Sequence, residues 1–572
     1  MSHDDQTSSE QTNGNQTSER PGRSTARQAA PSRPAEFPDI PFHPHRSPVY
    51  ATGGMIATSQ PSATLAGIRI LSAGGNAVDA AVAAAAVLAV TEPTGTGIGG
   101  DCFALCFAGD GGPERILALN GSGRAPAALN LELLRSTVPN GLPPFHAHTV
   151  TVPGAVAGWC DLVERAGSLP LGDILAPAIE LARNGFAVAP KTAYHWASAV
   201  DDQLRGRGED FLIGGRAPHS GEIFRNPALA GTLEGIAEKG RSAFYRGRVA
   251  EAIVRAVRDA GGVLELADLA EHRSTWDQPI ATDVSGRRVY QCPPNSQGLT
   301  ALLALDILSE LDDLGGSDSV DRAHLIIESL RLAFADARRY IADPAFVPVP
   351  TGDLLARGYA AQRAAMIDRR RARVDPVAGS PFPGSDTVYL SAVDGAGNAC
   401  SFIQSNYMGF GTGIAPAETG FTLHNRGLNF SLDRDHRNAL GPGKRPFHTL
   451  MPGLVTTGDD DSVYACFGVM GAFMQPQGHV QVLLALLEDG VDAQAALDRP
   501  RLCLEPDGDV AVEEGIDSGL VRQLADRGHD VHTVRGHERA LFGRGQIITR
   551  DPQSGVLCGG SDLRGDGCAM GC

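Results

Sequence analysis

The stretch Ser380-Pro381-Phe382-Pro383-Gly384-Ser385-Asp386-Thr387-Val388-Tyr389-Leu390-Ser391-Ala392-Val393 changes character at Thr387. Before it lies a run of Pro, Gly and Ser that suits neither helix nor strand. After it the side chains alternate, with Val388, Leu390 and Ala392 on one face and Thr387, Tyr389 and Ser391 on the other, as in a β-strand. Asp394-Gly395-Ala396-Gly397-Asn398 predicts a tight turn, and Ala399 to Ser405 the returning strand. A hairpin centred on Ala396 sets Thr387 opposite Ser405, with Cβ atoms about 4.5–5.5 Å apart. A hydroxyl that opens a strand, follows a loop and faces a second hydroxyl is what a self-cleaving N-terminal nucleophile requires.

A threonine hydroxyl attacks poorly until a base removes its proton. Cleavage of the Asp386–Thr387 bond would create that base, the new α-amino group of Thr387. Its pKa of about 7.7–8.0 lies near neutral pH, where general-base catalysis is efficient. Nucleophile and base then share one residue, and Ser405 holds the hydroxyl. The same pattern also suits an ordinary surface hairpin whose threonine simply favours a strand.

Further motifs separate the two readings. They include Gly53-Gly54-Met55-Ile56-Ala57-Thr58-Ser59-Gln60-Pro61, Gly74-Gly75-Asn76-Ala77-Val78-Asp79-Ala80-Ala81 and Glu92-Pro93-Thr94-Gly95-Thr96-Gly97-Ile98-Gly99-Gly100-Asp101. Val152-Pro153-Gly154-Ala155-Val156-Ala157-Gly158, Phe410-Gly411-Thr412-Gly413 and Gly443-Lys444-Arg445-Pro446 follow in order. With these motifs, the chain from Pro48 to its end resembles a γ-glutamyltranspeptidase (glutathione hydrolase) family proenzyme. The resemblance implies an α+β, four-layer αββα N-terminal-nucleophile hydrolase fold, autoprocessed before a threonine into large and small subunits. Thr387 matches that threonine, so the expected parts are a polar tail over 1–44, a large subunit over 45–386 and a small catalytic subunit over 387–572.

Composition fits a soluble enzyme. The chain has 572 residues, 42% of them hydrophobic, enough for one large or two intertwined domains. A formal charge of −17 argues against nucleic acid and against anionic membrane surfaces as partners. Residues 1–44 are rich in Ser, Thr, Gln, Arg and Pro and read as a disordered tail. No apolar core follows Met1, so the expected location is cytoplasmic. The ten cysteines lack Cys-x-x-Cys pairs. Cys102/Cys106 and Cys568/Cys572 have no histidines at zinc-site spacing, so buried free thiols, no metal and no cofactor are expected.

The Ala-rich run Ala77–Val90 is too short to span a membrane and predicts a buried helix capped by Asn76, with Gly74-Gly75 closing the helix before it. Arg322–Ile341 predicts an amphipathic helix. Asp173–Asn184 predicts another, capped by Asp173, ended at Gly185, and either continuous or divided at Pro177. Arg369-Arg370-Arg371-Ala372-Arg373 reads as a solvated helix end leading into the processing loop. Beyond Thr387 the pattern turns strand-rich, with a turn at Gly458-Asp459-Asp460-Asp461 and a helix from about Gln477 to Leu487.

Phe467-Gly468-Val469-Met470-Gly471-Ala472 ends an apolar strand in small residues. It resembles the family's oxyanion loop, which assigns the backbone N–H groups of Gly471 and Ala472 as donors; the family usually has a second glycine where Ala472 stands. The same strand end also suits a turn that meets no ligand. The substrate contacts depart from the γ-glutamyl pattern. Asn429 stands where the family holds the α-amino group with Asp, and Arg426 where Gln is usual. His448 and Thr449 replace two serines that hold the α-carboxylate. The family's upstream carboxylate-binding arginine aligns with Ser122, with Arg124 nearby as a substitute, and Tyr407 takes a position usually given to Asn. A guanidinium gained and a carboxylate lost favour an anionic group. Arg426 also suits a structural ion pair, and His448 a satisfied core histidine.

These departures, with Ser401-Phe402-Ile403-Gln404-Ser405 and Asn425-Arg426-Gly427, resemble a side branch that includes oxamate amidohydrolase and γ-glutamyltransferase-like proteins. The expectation is an amidohydrolase or acyltransferase that acts through an acyl-enzyme on Thr387, on a small amide bearing a carboxylate. Its two subunits are expected to stay associated. The alternatives are glutathione hydrolysis or γ-glutamyl transfer proper, and a scaffold that never matures.

Overall fold

The chain folds as two seven-stranded sheets stacked face to face, with helices covering both outer surfaces. The computed structural model describes residues 46–109, 115–204, 208–373, 386–458 and 462–572. The polar tail, the loop before Asp386 and the predicted turn at 459–461 lie outside the described residues.

The first sheet runs in the order Cys568–Gly571, Gly54–Thr58, Asp386–Asp394, Ala399–Tyr407, Asp101–Phe107, Ile116–Gly121, Thr275–Asp277. The second runs Val49–Ala51, Leu557–Ser561, Arg544–Arg550, Val463–Met470, Gly453–Thr457, Arg287–Gln291, Ile280–Val284. Every neighbouring pair in both is antiparallel.

Three apolar clusters fill the three spaces between four layers. Met55, Phe103, Tyr389 and Ile403 of the first sheet meet Leu454, Cys466 and Ile548 of the second. Ile56, Ala104, Leu390 and Phe402 pack outward against one helical layer, and Val289, Val455, Phe467 and Ile547 against the other. The expected αββα architecture is therefore met. The alternation read from Val388 onward is also met, with both faces of the strand buried: Val388, Leu390 and Ala392 point to the helices, Tyr389 and Val393 to the second sheet.

The helix Ala77–Thr91 is buried along its whole length. Asn76 caps it, taking the N–H groups of Val78 and Asp79, while Asp79 returns a bond to the Asn76 N–H. Alanine on every side lets it lie close against the first sheet. Among the described residues no helix is long and apolar enough to cross a membrane.

Three helix expectations are corrected. Leu171–Asn184 is one helix with Pro177 inside it; it starts after Pro170, and Asp173 lies in its first turn rather than at its cap. Burial of Ile174, Leu175, Ala178 and Ala182 outweighs the bond lost at Pro177. The long helix is Val320–Tyr340, capped by Ser319, and the last predicted helix begins earlier, at Met474. The basic run from Arg369 follows the helix Arg357–Ala364 as a turn, its first three side chains exposed. The ten cysteines are free, and eight are buried.

Several histidines among the described residues are buried where the charged form is disfavoured. Burial holds His272, His448 and His479 down to about 3, with Arg445 adding to the effect at His272 and Arg426 at His448. In the unfolded chain such groups take up a proton near 6.5. Between those values the unfolded state binds more protons, so stability falls as pH drops below about 6.5, by about 1.4 kcal/mol per pH unit for each group. The melting temperature should decline between pH 7 and 5, ahead of the carboxylate range, and His479→Gln should lessen the decline. A melting temperature that stays flat over that interval would contradict this reading.

Candidate active site

Thr387 and Ser405 meet at the open end of the central hairpin. Val388 pairs with Gln404 and Tyr389 with Ile403, while a β-bulge interrupts the register between Asp386 and Val388. Both hydroxyls are fully buried, and Thr387 Oγ1 lies 3.3 Å from Ser405 Oγ. The Tyr407 N–H donates to Ser405 Oγ at 2.6 Å.

Glycines make room for this end of the hairpin. A Cβ on Gly100 would stand 2.3 Å from the Ser405 carbonyl oxygen, and one on Gly99 2.1 Å from that of Thr422. Only a chain without side chains there passes so close.

A connected set of contacts runs from the hydroxyl pair. Tyr407 has φ of 80°, a left-handed conformation that an asparagine adopts more readily. The Arg426 guanidinium carbon lies 4.4 Å from the centre of the Tyr407 ring. Arg426 Nη1 donates to Thr449 Oγ1 at 2.8 Å, while its Nε and Nη2 are buried without a partner among the described residues. Burial lowers the Arg426 guanidinium to about 10, with Asp101 and Tyr407 pulling the other way. The Thr449 carbonyl in turn accepts from Gln297 Nε2 at 2.7 Å, and the same amide donates to the Ala472 carbonyl at 2.8 Å. Thr387, Ser405, Tyr407, Arg426, Thr449 and Ala472 are thus brought into one constellation.

Gly471 and Ala472 bridge the strand Val463–Met470 and the helix Met474–Leu487. Their φ angles are 129° and 50°. The alanine is left-handed at a cost of about 1–2 kcal/mol that glycine would avoid. With the helix beginning just beyond, its positive end faces the same region.

His448 is buried with both ring nitrogens engaged. Its Nδ1 accepts the Leu450 N–H at 3.2 Å, which leaves Nε2–H to donate to Asp101 Oδ2 at 3.1 Å. His424 Nδ1 lies 3.3 Å from the same oxygen, and its Nε2 faces the Thr151 carbonyl at 2.9 Å. Asp101 Oδ1 accepts the N–H groups of Gly123 and Gly154 at 3.0 and 3.2 Å. Burial alone would raise the Asp101 carboxyl, but the charge and hydrogen bond of His424, then the contact with His448, hold it well below the usual carboxylate range. Asp101 stands directly across from Ser405 in the sheet.

Arg124 and Asn429 join none of these contacts. Arg124 Nη1 lies 3.4 Å from Asp343 and 3.3 Å from the Gly443 carbonyl, and its side chain is a third exposed. Asn429 ends a short 3-10 turn begun by Arg426; its carbonyl accepts from Asn438, and its Nδ2 is buried without a partner among the described residues.

Sequence reading missed Asp101, His424 and Gln297. Asp101 carried a signal: it is the one charge in the otherwise apolar strand Asp-Cys-Phe-Ala-Leu-Cys-Phe. Gln297 follows Pro293-Pro294-Asn295-Ser296, and nothing local distinguishes it from a turn residue. Among the described residues no group of His, Cys, Asp and Glu is arranged to hold a metal ion.

The profile of the gamma-glutamyltranspeptidase family matches residues 63–572. The chain is 38% identical to the glutathione hydrolase-like YwrD proenzyme of Bacillus subtilis, over 91% of this chain and 99% of that one. It is 35% identical to the oxamate amidohydrolase proenzyme of Klebsiella pneumoniae, over 91% and 99% of the two chains. The crystal structure of cephalosporin acylase from Bacillus halodurans superposes with a TM-score of 0.86 at 44% identity, covering 95% of this chain and 99% of that one. Profile, relatives and fold agree: the chain belongs to the gamma-glutamyltranspeptidase family and is an enzyme of amide hydrolysis or transfer.

Proposed function

We propose that the protein cuts its own Asp386–Thr387 bond and then uses Thr387 as an N-terminal nucleophile on a small amide that carries a carboxylate. The observation that carries this reading is the buried Thr387–Ser405 hydroxyl pair, 3.3 Å apart at the start of the strand. The proenzyme relatives support the maturation step. The Thr387 hydroxyl attacks the Asp386 carbonyl, the acyl group shifts from nitrogen to oxygen, and water releases it, leaving a free α-amine.

In the mature enzyme that amine takes the Thr387 proton as Oγ1 adds to the substrate carbonyl. Ser405, fixed by the Tyr407 N–H, holds the hydroxyl in place. The oxyanion meets the N–H groups of Gly471 and Ala472, each worth a few kcal/mol. Collapse expels the amine with the transferred proton, and water or a second amine then takes the acyl group from Thr387.

The two unpartnered nitrogens of Arg426 support a carboxylate as the group recognised, with Thr449 and Tyr407 orienting the guanidinium. Oxamate, named for the Klebsiella relative, is an amide of this kind. His448, bonded to Asp101, positions the adjoining Thr449, while Asn429 and Arg124 take peripheral roles in holding the substrate. The two subunits stay together, because the strand that begins at Thr387 lies between Gly54–Thr58 of the large subunit and Ala399–Tyr407 of the small one.

Intact-mass measurement under denaturing conditions should find two pieces, one ending at Asp386 and one starting at Thr387, that co-elute natively. Thr387→Ala should remain a single chain. Persistence of the full-length wild type would sink the reading. Arg426→Gln should raise KM for oxamate by roughly ten- to a hundred-fold, the equivalent of a charge-assisted hydrogen bond of about 1.5–3 kcal/mol. Combined with Asn429→Asp it should gain hydrolysis of γ-glutamyl-p-nitroanilide; no gain would remove the pocket argument.

A further inference from the structure

A cleft of about 540 Å³ opens beside the Gly471–Ala472 loop and is also bordered by Met408 and Gly409, just beyond the returning strand of the hairpin. That volume suits a small-molecule site. Its walls are largely apolar, with Phe334, Phe473, Met474 and Leu504 prominent among them. Phe334 and Arg338 lie one turn apart on the helix Val320–Tyr340 and both line the cleft.

Arg338 is the unexplained group. Its Nη1 is buried without a hydrogen-bond partner among the described residues, its guanidinium carbon lies 5.9 Å from the centre of the Phe334 ring, and no described acid contributes to its electrostatics. Burial is the sole cause that lowers it, to about 10, so no neighbouring acid offsets the loss of water. Glu505, on the same wall, is engaged by His532 at 3.2 Å. Arg338 is partly buried, and a guanidinium nitrogen withdrawn from water without an acceptor favours an anion that completes it.

We propose that this cleft is the subsite for the amine half of the amide, and that it takes an amine with an aromatic-sized apolar body and a carboxylate received by Arg338. The assignment of the amine half rests on the reading of Gly471 and Ala472 as the oxyanion donors. An acyl group held at Thr387 would have its carbonyl against that loop, which leaves the departing or incoming amine facing the cleft that the loop borders. Arg426 then serves the acyl half and Arg338 the amine half, so the two guanidinium groups recognise opposite ends of one substrate.

Binding without turnover tests this independently of the nucleophile. Isothermal titration with 4-aminobenzoate and with aniline should show the carboxylated amine bound at least ten-fold more tightly by the wild type. Arg338→Met should abolish that preference and leave aniline binding unchanged, whereas Arg426→Gln should retain it. Equal binding of the two amines by the wild type would overturn the proposal, as would a preference that survives Arg338→Met or disappears in Arg426→Gln. Should the wild type fail to mature and still show a preference that follows Arg338, the subsite stands and the Thr387 reading falls.

Discussion

A carboxylate sealed from solvent, that of Asp101, ties the site together. An ionised group held away from water costs several kcal/mol unless donors replace its hydration. Here the N–H groups of Gly123 and Gly154 and the ring of His448 supply bonds, with His424 beside them. The three donors and the His424 ring come from four segments of the chain, so satisfying one charge holds four segments together. Asp101 also faces Ser405 across the sheet, and a slip of one residue there would turn the carboxylate to the opposite face. The His448 ring so held precedes Thr449, which in turn receives Arg426.

Two residues in this region adopt conformations that glycine or asparagine would take more readily. Tyr407 and Ala472 have φ of 80° and 50°. Such strain persists where surrounding contacts over-determine the backbone, and it concentrates at functional positions. At Tyr407 the contacts are the bond to Ser405 and the stacked guanidinium of Arg426. At Ala472 they are the Gln297 amide and the first turn of the following helix.

The electrostatics of the interior run against those of the whole. A chain with a formal charge of −17 buries guanidinium atoms of Arg426 and Arg338 without a hydrogen-bond partner among the described residues. An acidic exterior slows approach of an anion, but a desolvated cation holds it far more strongly than an exposed one.

Much of the fold was legible in local sequence. Alternation from Val388 to Val393, the turn at Asp394–Asn398 and the cap at Asn76 each express a short-range rule, because period and capping depend on neighbours within a few residues. The relation of Thr387 to Ser405 followed from counting across one turn. What no local rule contains is a contact between distant segments. Pro177 stays within a helix because four apolar side chains find partners elsewhere in the core. Gln297 joins Thr449 to Ala472, two histidines share Asp101, and Arg338 Nη1 is buried with no hydrogen-bond partner among the described residues, only once the sheets are stacked. The sequence by itself determined the hairpin and the layered pattern, since periodicity carries both; the tertiary structure alone decided which polar groups are paired and which are not, since burial and partnership are properties of the assembled core.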